Sequence, residues 1–318
     1  MFTHTSLLIA FEAVKENHGC AGVDGVTIER FAEDLSANLA GLRLELLDRT
    51  YRPLPLLKIL VAKKNGEPRG LCIPTVRDRV AHTAVLHRIG PVLEQEFEEC
   101  SYGYRQGRSV RQAVYRIKDY YEQGYRWVVE ADIDAFFDTV NHDLMLAKCV
   151  RYIRDPEVLT LIEMWLRAEI WDGTSVSRLR QGLPQGSAIS PVLANLFLDE
   201  LDEAMLGQGY KFIRFADDYV VLCKTPAEAE AALEMSEQAL AKLLLCLDEG
   251  EVVSFEQGFT YLGVTFLNSL VMTPFDRPKK EHRILFYPPT LDVEGYLRKK
   301  GQRTVDSRRW TVDSEGVP

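Results

Sequence analysis

The stretch FIRFADDYVVLC, residues 212–223, sets two adjacent carboxylates between two apolar, β-prone runs. Such runs are typical of buried strands, and Ala-Asp-Asp between them predicts a tight hairpin turn. Two anions at the tip of a buried hairpin repel each other and lose hydration, and a divalent cation removes both penalties. An isolated Asp-Asp pair is more often a plain turn that uses Asp for local hydrogen bonds. A second carboxylate site of the same kind would change that balance.

That second site follows residues 127–131, a mostly apolar run that leads into Asp132 and Asp134. If this run is a strand beside the Asp217-Asp218 hairpin, Asp132 completes a set of three carboxylates. Such a set can hold two Mg²⁺ ions about 3.5–4 Å apart, which activate one oxygen of a phosphoryl transfer and stabilise the leaving oxygen. Mg²⁺ suits the site because it takes oxygen ligands and keeps positions open for substrate phosphates.

Composition sets the broad class. The chain has 318 residues with 46% hydrophobic content, which predicts a large core and about two domains. No run of eighteen apolar residues predicts a membrane span, and the N-terminus lacks the basic start of a secretory signal. The six cysteines form no Cys-x-x-Cys motif, which favours reduced thiols in a cytoplasmic protein over a zinc site or disulfides.

The net charge of −9 counts against strong autonomous binding of nucleic acid. The charges are unevenly distributed, however. Acidic residues concentrate in residues 227–251, whereas basic residues concentrate in residues 63–111 and 277–309. A basic polymer-binding face with an acidic back is compatible with this pattern.

The apolar periodicity predicts an α+β fold in which an antiparallel sheet carries helices on one face. A connecting glycine-rich loop is expected at residues 180–191. The predicted helices cover residues 5–18, 28–47, 78–97, 143–152, 156–168, 191–206 and 226–247. The predicted strands lie near residues 59–62, 70–73, 127–132, 212–223, 251–255, 259–266, 270–273 and 284–287.

Three stretches are candidates for polymer or nucleotide contacts. Lys63 and Arg69 flank a hairpin turn and could close over a triphosphate or a template backbone, although such residues in isolation are more often part of a solvated basic turn. Residues 101–109 mix aromatics, glycine and arginine, which suits stacking against a nucleic-acid strand or a plain loop. Residues 180–191 lack the Gly-Lys-Ser/Thr of a P-loop, but their glycines and Gln185 could pass close to a base pair or a sugar.

Taken in order, the motifs resemble those of the bacterial group II intron-like reverse transcriptases, over about residues 5–275. The N-terminal, fingers and following motifs match GVDG, GLCIPTVRDR and SYGYR, at residues 22–25, 70–79 and 101–105. The two catalytic motifs match residues 132–137 and 215–218, and the template-side motif between them matches residues 181–195. The primer-grip motif matches FTYLG at residues 259–263.

The resemblance implies a right-hand polymerase with fingers and palm, an antiparallel palm sheet backed by helices, and a thumb that is absent or reduced. Residues 1–112 would form an N-terminal extension and fingers, with part of the fingers within 150–190. Residues 113–275 would form the palm, and residues 276–318 a basic C-terminal extension or linker.

The resemblance also implies roles for individual residues. The metal-binding and catalytic carboxylates would be Asp132, Asp217 and Asp218, with the Ile133 carbonyl as a further ligand of Mg²⁺, or of Mn²⁺. The incoming dNTP would contact Lys63, Arg69, Phe137, Gln185 and Gly186, of which Phe137 would exclude a ribonucleotide 2′-hydroxyl. The RNA template and the DNA or RNA primer would contact Arg77, Tyr104, Arg105, Tyr261, Leu262 and Gly263.

Two features depart from the family pattern. The family usually carries Glu-Lys-Thr after the long palm helix, with a lysine proposed to protonate pyrophosphate, whereas this chain has Asp248-Glu249-Gly250. In addition, no helical thumb or endonuclease domain is recognisable after residue 275. An intron partner is therefore less expected.

Residues 255–264 and 283–289 are similar to the CRISPR-associated branch, whose members are fused to the CRISPR integrase or work beside it. This similarity implies a partner in that integrase and a role in acquiring RNA-derived spacers for antiviral defence. Intron, retron and other retroelement enzymes remain alternatives. A catalytically weak scaffold is favoured by Glu249 and the acidic charge, whereas a nucleotidyl cyclase should show a Gly-Gly-Asp/Glu-Glu-Phe hairpin that this chain lacks.

Overall fold

The computed structural model describes residues 2–62, 66–272 and 284–301. Its helices are α1 (His4–Glu16), α2 (Ile28–Glu33), α3 (Leu35–Leu47), α4 (Val76–Leu93), α5 (Val110–Glu122), α6 (Phe136–Thr139), α7 (His142–Tyr152), α8 (Pro156–Leu166), α9 (Ser190–Gly207), α10 (Pro226–Lys242) and α11 (Val293–Lys299). Its strands are β1 (Leu56–Ala62), β2 (Pro68–Ile73), β3 (Trp127–Ile133), β4 (Glu169–Trp171), β5 (Val176–Arg178), β6 (Lys211–Phe215), β7 (Asp218–Cys223), β8 (Leu247–Ser254), β9 (Phe259–Tyr261), β10 (Val264–Leu267), β11 (Leu270–Met272) and β12 (Ile284–Phe286).

The predicted antiparallel palm sheet is confirmed. It has four strands in the order β6-β7-β3-β8, and every neighbouring pair is antiparallel. Because β3 lies between β7 and β8, the strand that carries Asp132 is hydrogen-bonded on both edges. The sheet therefore fixes the position of this carboxylate from two sides.

Alternation along the strands divides the palm core into two layers. Val129, Val221 and Tyr219 belong to the main hydrophobic core, in which α9 and α10 cover one face of the sheet. Val128 and Val220 belong to a second core, formed with α5 and the small sheet β11-β10-β9. Both faces are thus covered, and the expectation that helices lie on one face alone was too simple, since α5 packs on the other.

The fingers contain a second sheet in the order β12-β1-β4-β5, with β2 paired to the same strand β1. β1 and β2 form the predicted antiparallel hairpin, whose residues 63–65 lie outside the described residues. β1 and β4 run parallel, in register from Leu56 with Ile170. The α1, α3 and α4 helices pack against one another in the main core, whereas the buried residues of β1 belong to two smaller clusters. The region between residues 150 and 190 therefore supplies β4 and β5 to the same sheet as β1.

The C-terminal residues 284–301 also pack on the fingers. Val61 of β1 is in register with Ile284 of β12, and the Leu291 amide donates to the Val23 carbonyl at 3.0 Å. At the C-terminal end of α11, Lys300 Nζ donates to Glu169 Oε1 at 2.6 Å. This stretch, expected to be an extension or linker, contributes a strand and a helix to the structure.

One predicted helix is divided in two. Residues 28–47 keep an apolar spacing compatible with a single helix, but Asp34 has φ −117° and ψ 39° and separates α2 from α3. Thr27 caps α2 as expected, because its hydroxyl accepts the Arg30 amide at 3.2 Å. The two shorter helices still place Phe31, Leu39 and Leu42 in the core.

Candidate active site

The β6–β7 hairpin places its two carboxylates at a tight turn, as predicted. Phe215 is in register with Asp218, so Ala216 and Asp217 form a two-residue connection. Ala216 has a φ of 63°, in the left-handed region that such hairpin turns require. The turn leaves Asp217 half-buried and Asp218 exposed.

β3 brings the third carboxylate beside this hairpin. Ala131 is in register with Tyr219, so Asp132 and Asp218 follow on neighbouring strands at the same end of the sheet. By alternation both lie on the face that also carries Val128 and Val220. Asp132 is half-buried, and its Oδ1 accepts the Ile133 amide at 2.9 Å. The structure thus gathers the three predicted carboxylates at one end of the palm sheet.

Their electrostatics show mutual repulsion. Desolvation, reinforced by Asp132 and Asp217, raises the pKa of Asp218 to about 7. Desolvation and then the charge of Asp217 raise the pKa of Asp132, and desolvation also raises the pKa of Asp217. Proximity to one another makes the ionised forms costly, and a bound cation would relieve that cost.

The donor set fits a hard, oxygen-seeking cation such as Mg²⁺. Within residues 2–62, 66–272 and 284–301, however, no three His, Cys, Asp or Glu side chains stand close enough together to form a ready metal-binding group. The charges of neighbouring carboxylates raise the pKa values of Asp132 and Asp218, but the three side chains are not arranged as ligands of one ion. They would hold the ion by a local adjustment of their side chains.

More acidic side chains line the neighbouring strand β8. Asp132 is in register with Glu249, and Glu130 is in register with Glu251. Desolvation and then Glu251 raise the pKa of Glu130. Like charges directly opposite each other disfavour pairing of the strands. The position of the family lysine thus adds negative charge beside the site.

A buried arginine is hydrogen-bonded to the turn that carries Asp217 and Asp218. Arg214 is fully buried, and its guanidinium donates to Asp202 at 2.7 Å, to Asn195 at 3.0 Å and to the Ala216 carbonyl at 2.9 Å. Asn195 in turn donates to the Gly103 carbonyl at 2.9 Å. The sequence prediction did not single out this network, although a lone cation inside an apolar strand was a visible signal of a buried ion pair.

The glycine-rich loop contacts the fingers hairpin through its predicted nucleotide residues. The Cys72 amide donates to the Gln185 carbonyl at 2.7 Å, and Arg69 Nε donates to Gln185 Oε1 at 2.6 Å. Gly186 has a φ of 120°, and a Cβ there would lie 2.7 Å from the Cys72 carbonyl oxygen. The structure therefore joins Arg69, Gln185 and Gly186, whereas Lys63 lies outside the described residues.

The predicted sugar gate, Phe137, is almost buried, with 7% of its surface exposed. Its ring meets the ring of Phe136 at 5.3 Å and that of Tyr104 at 6.3 Å, both edge-to-face. Tyr104 is by contrast 52% exposed. The aromatic surface at this position is therefore shared between two residues, and Tyr104 supplies its exposed part.

Two predicted template residues, Arg77 and Arg105, form ion pairs with other side chains of this protein. Arg77 pairs with Glu45 and lies over the Tyr51 ring at 4.9 Å, with 16% of its side chain exposed. Arg105 bonds Glu94 at 2.8 Å and the carbonyls of Ser101 and Phe97, with 4% of its side chain exposed. Both guanidinium groups hold α4 and its neighbours together, which counts against a direct contact with a template.

The predicted primer-grip residues lie in the β9–β10 turn. Tyr261 is buried, and its hydroxyl donates to the Asp218 carbonyl at 3.2 Å. Leu262 and Gly263 form the turn itself, with φ angles of 52° and 74°. A hydrogen bond thus fixes this hairpin directly against the catalytic strand β7.

Comparison with known proteins identifies the class. Residues 61–266 match the family described as Reverse transcriptase (RNA-dependent DNA polymerase), which covers more than half of the chain. The chain therefore belongs to the reverse transcriptase family. It is 33% identical over 283 residues to Protein YkfC of Escherichia coli (strain K12), across 76% of this chain and 74% of that protein.

The group II intron-like resemblance is also confirmed. The chain is 33% identical over 209 residues to the group II intron-encoded protein LtrA of Lactococcus lactis subsp. cremoris, across 65% of this chain but only 34% of LtrA. A solved partial Cas6-RT-Cas1–Cas2 complex contains a chain 30% identical to this one, covering 76% of this chain and 40% of that chain. The TM-score of this match is 0.45.

No helix among the described residues is both long and apolar enough to cross a membrane.

Proposed function

We propose that this chain copies RNA into DNA, using the three carboxylates at the end of the palm sheet as ligands of Mg²⁺, or of Mn²⁺. The observation that carries the proposal is the convergence of Asp132 with the Asp217-Asp218 turn on adjacent strands of a reverse transcriptase palm. Bound cations would activate the primer hydroxyl and stabilise the departing pyrophosphate. The raised pKa values of the carboxylates provide the electrostatic drive to bind them.

The surrounding residues would position the substrates. Asp132, Asp217 and Asp218 would hold the metal, with the Ile133 carbonyl as a further ligand. Arg69, with Lys63, meets the triphosphate of the incoming dNTP, while Gln185 and Gly186 line the new base pair and Phe137 limits the space at the sugar. The buried Arg214 network keeps the turn in place, because its guanidinium binds the carbonyl that precedes Asp217.

We further propose that the partner is a CRISPR integrase and that the DNA product feeds spacer acquisition. The support is the motif similarity at residues 255–264 and 283–289 and the net charge of −9, which suits an enzyme that borrows affinity for nucleic acid from a basic partner. Intron, retron and scaffold functions remain the competing hypotheses.

The deciding experiment is extension of a DNA primer on an RNA template with dNTPs and Mg²⁺. Asp217→Asn and Asp218→Asn should each lower the rate by about 100-fold or more, because loss of a ligand removes several kcal/mol of charge stabilisation. Asp134→Asn is the matched control, since Asp134 is an exposed carboxylate two residues beyond Asp132. It should retain the wild-type rate.

The outcomes separate the hypotheses. Extension that needs Asp217 and Asp218 but not Asp134 supports the polymerase. Equal rates for all variants would contradict the assigned metal site. Extension only after the integrase is added would favour a partner-dependent enzyme, and no extension in either condition would favour a scaffold.

A further inference from the structure

The segment that precedes Tyr104 is pressed against the catalytic turn. A Cβ on Gly103 would lie 2.3 Å from the Ala216 nitrogen, so only glycine allows this approach of the two backbones. The Tyr102 amide donates to the Arg214 carbonyl at 2.8 Å. Residues 102 and 103 are therefore fixed to the hairpin that carries Asp217 and Asp218.

The segment that follows Tyr104 is fixed as well. The Arg105 side chain is buried and bonds Glu94 together with several backbone carbonyls. Between these two anchors Tyr104 has a φ of 59°, a conformation that residues other than glycine, asparagine and aspartate rarely adopt. The backbone thus holds an aromatic side chain outward at a defined position instead of allowing it to fold into the core.

The surroundings of that side chain are those of a nucleotide site. Its ring packs edge-on against Phe137, with centroids 6.3 Å apart. Besides burial, the charges that act on the pKa of its phenol are Asp217 and Asp218, which raise it, and Arg69, which lowers it. The phenol therefore lies near both the metal-binding carboxylates and the residue predicted to meet the triphosphate.

Exposure distinguishes the two aromatics. Phe137 exposes 7% of its surface and Tyr104 exposes 52%. A sugar entering between the carboxylates and Arg69 would therefore meet Tyr104 first, with Phe137 behind it.

We propose that Tyr104 is a sugar-selecting residue of the nucleotide site, whose ring limits the space for a 2′-hydroxyl while Phe137 supports it from behind. This inference rests on the proposed polymerase function, changes the role of Tyr104 from template contact to nucleotide contact, and makes Phe137 the support of the wall at the sugar instead of the wall itself. A rigid aromatic wall accepts a 2′-hydrogen and collides with a 2′-hydroxyl. Removing the ring should open that space.

The test compares binding of dATP and ATP, with Mg²⁺, to the enzyme on an RNA template with a chain-terminated DNA primer. No chemistry is needed for this measurement. Tyr104→Ala should reduce the preference for dATP by about 10-fold or more, within the range that steric exclusion of one small group supports. Tyr104→Phe keeps the ring and should retain the preference within about two-fold.

Two further variants keep the result interpretable. Tyr104→Asn also removes the ring, and asparagine tolerates the left-handed backbone, so it reproduces the loss even if the alanine variant folds poorly. Tyr115→Ala removes an equally exposed tyrosine from α5 and should change nothing. An unchanged preference in the alanine and asparagine variants, with weaker binding of the RNA template, would overturn the inference and return Tyr104 to the template.

Primer extension by the same proteins separates this inference from the proposed function. Wild-type enzyme that discriminates dATP from ATP in binding but does not extend a free primer would contradict only the polymerase proposal. Wild-type enzyme that extends primers, with equal discrimination in every Tyr104 variant, would contradict only the role of Tyr104. Wild-type enzyme that binds neither nucleotide would overturn both.

Discussion

Asp132, Asp217 and Asp218 are three carboxyl groups whose ionised forms are destabilised by the fold. Each carboxyl has its pKa raised, first by desolvation, and none forms an ion pair within 4.0 Å with a described cation. The buried Asp202 differs, because Arg214 neutralises it through two hydrogen bonds. Asp202 is therefore neutralised inside the fold, whereas Asp132, Asp217 and Asp218 are not paired with any described cation.

A stability experiment tests this cost directly. The pKa of Asp218 is about 7 in the folded protein, against an ordinary value of 3.8. The folded state therefore retains a proton that the unfolded state releases, and the free energy of unfolding should fall as pH rises from about 4 to about 7 and then level off. Asp218→Asn removes this contribution, so its advantage over wild type should grow across that range.

The measurement is urea unfolding of metal-free protein at intervals between pH 5 and pH 8. Asp134→Asn serves as the control for exchanging a carboxylate for an amide at the same strand end. Parallel stability curves for wild type and Asp218→Asn would show that Asp218 titrates normally. Mg²⁺ at pH 8 should then stabilise wild type more than Asp218→Asn, because only wild type keeps the full ligand set.

At the scale of elements, the glycine-rich loop depends on its contact with β2. Gly186→Ala must place a Cβ against the Cys72 carbonyl at a φ of 120°, a backbone region that glycine almost alone adopts. We expect a loss of about 1–3 kcal/mol in the free energy of unfolding. The KM for dNTP should also rise, since Gln185 and Arg69 are joined at this contact.

Gly209→Ala provides the matched control. Gly209 also has a positive φ, 84°, but nothing lies within 4 Å of its Cβ position. It should lose stability from backbone strain while the KM for dNTP stays unchanged. Equal changes in KM for both variants would show that the β2 contact does not position the nucleotide loop.

Elements and their order could be predicted because apolar periodicity and turn residues are local signals. The palm strands, the carboxylate hairpin and α9 follow such signals closely. The break at Asp34 could not be predicted, because residues on both sides of it keep core-facing apolar positions. Likewise, β12 was visible as a strand, but its pairing with β1 depends on tertiary packing that no local pattern records.

The same limit applies to the site. The placement of Asp132, Asp217 and Asp218 at one end of the sheet could be predicted, because carboxylates that follow apolar strands are chemically unusual. Arg77 and Arg105 could not be assigned, because a guanidinium recognises a phosphate and a carboxylate by the same geometry. Only the structure shows that their partners are Glu45 and Glu94.

At the scale of the whole molecule, the charge predicts weak binding of nucleic acid by the isolated protein. The 38 lysines and arginines are outnumbered by 47 aspartates and glutamates, and the resulting net charge of −9 repels a polyanion. We expect a shallow dependence of primer–template affinity on salt, and a steeper one when the proposed integrase partner adds its own phosphate contacts. Each added contact should change the slope of log affinity against log salt by about −0.9.

Fluorescence anisotropy between 50 and 200 mM salt, with and without the integrase, checks this expectation. An unrelated protein with the same net positive charge as the integrase controls for non-specific attraction to the nucleic acid. Tight, processive extension by the isolated enzyme would argue against dependence on a partner. If the unrelated protein steepens the salt dependence as much as the integrase does, that result would argue against a specific integrase partner.

The fingers sheet joins residues that are far apart in sequence. β1 ends at Ala62, whereas its edge partner β12 begins at Ile284. During synthesis the palm strands and their helices emerge before β12, so the part of β1 around Leu60 and Val61 must wait without its β12 partner, although β2 and β4 already pair with β1. Unpaired edges are sites of misassociation, and contacts this distant in sequence form slowly. The fingers should therefore mature last, with a risk of aggregation until the chain has been released well past residue 286.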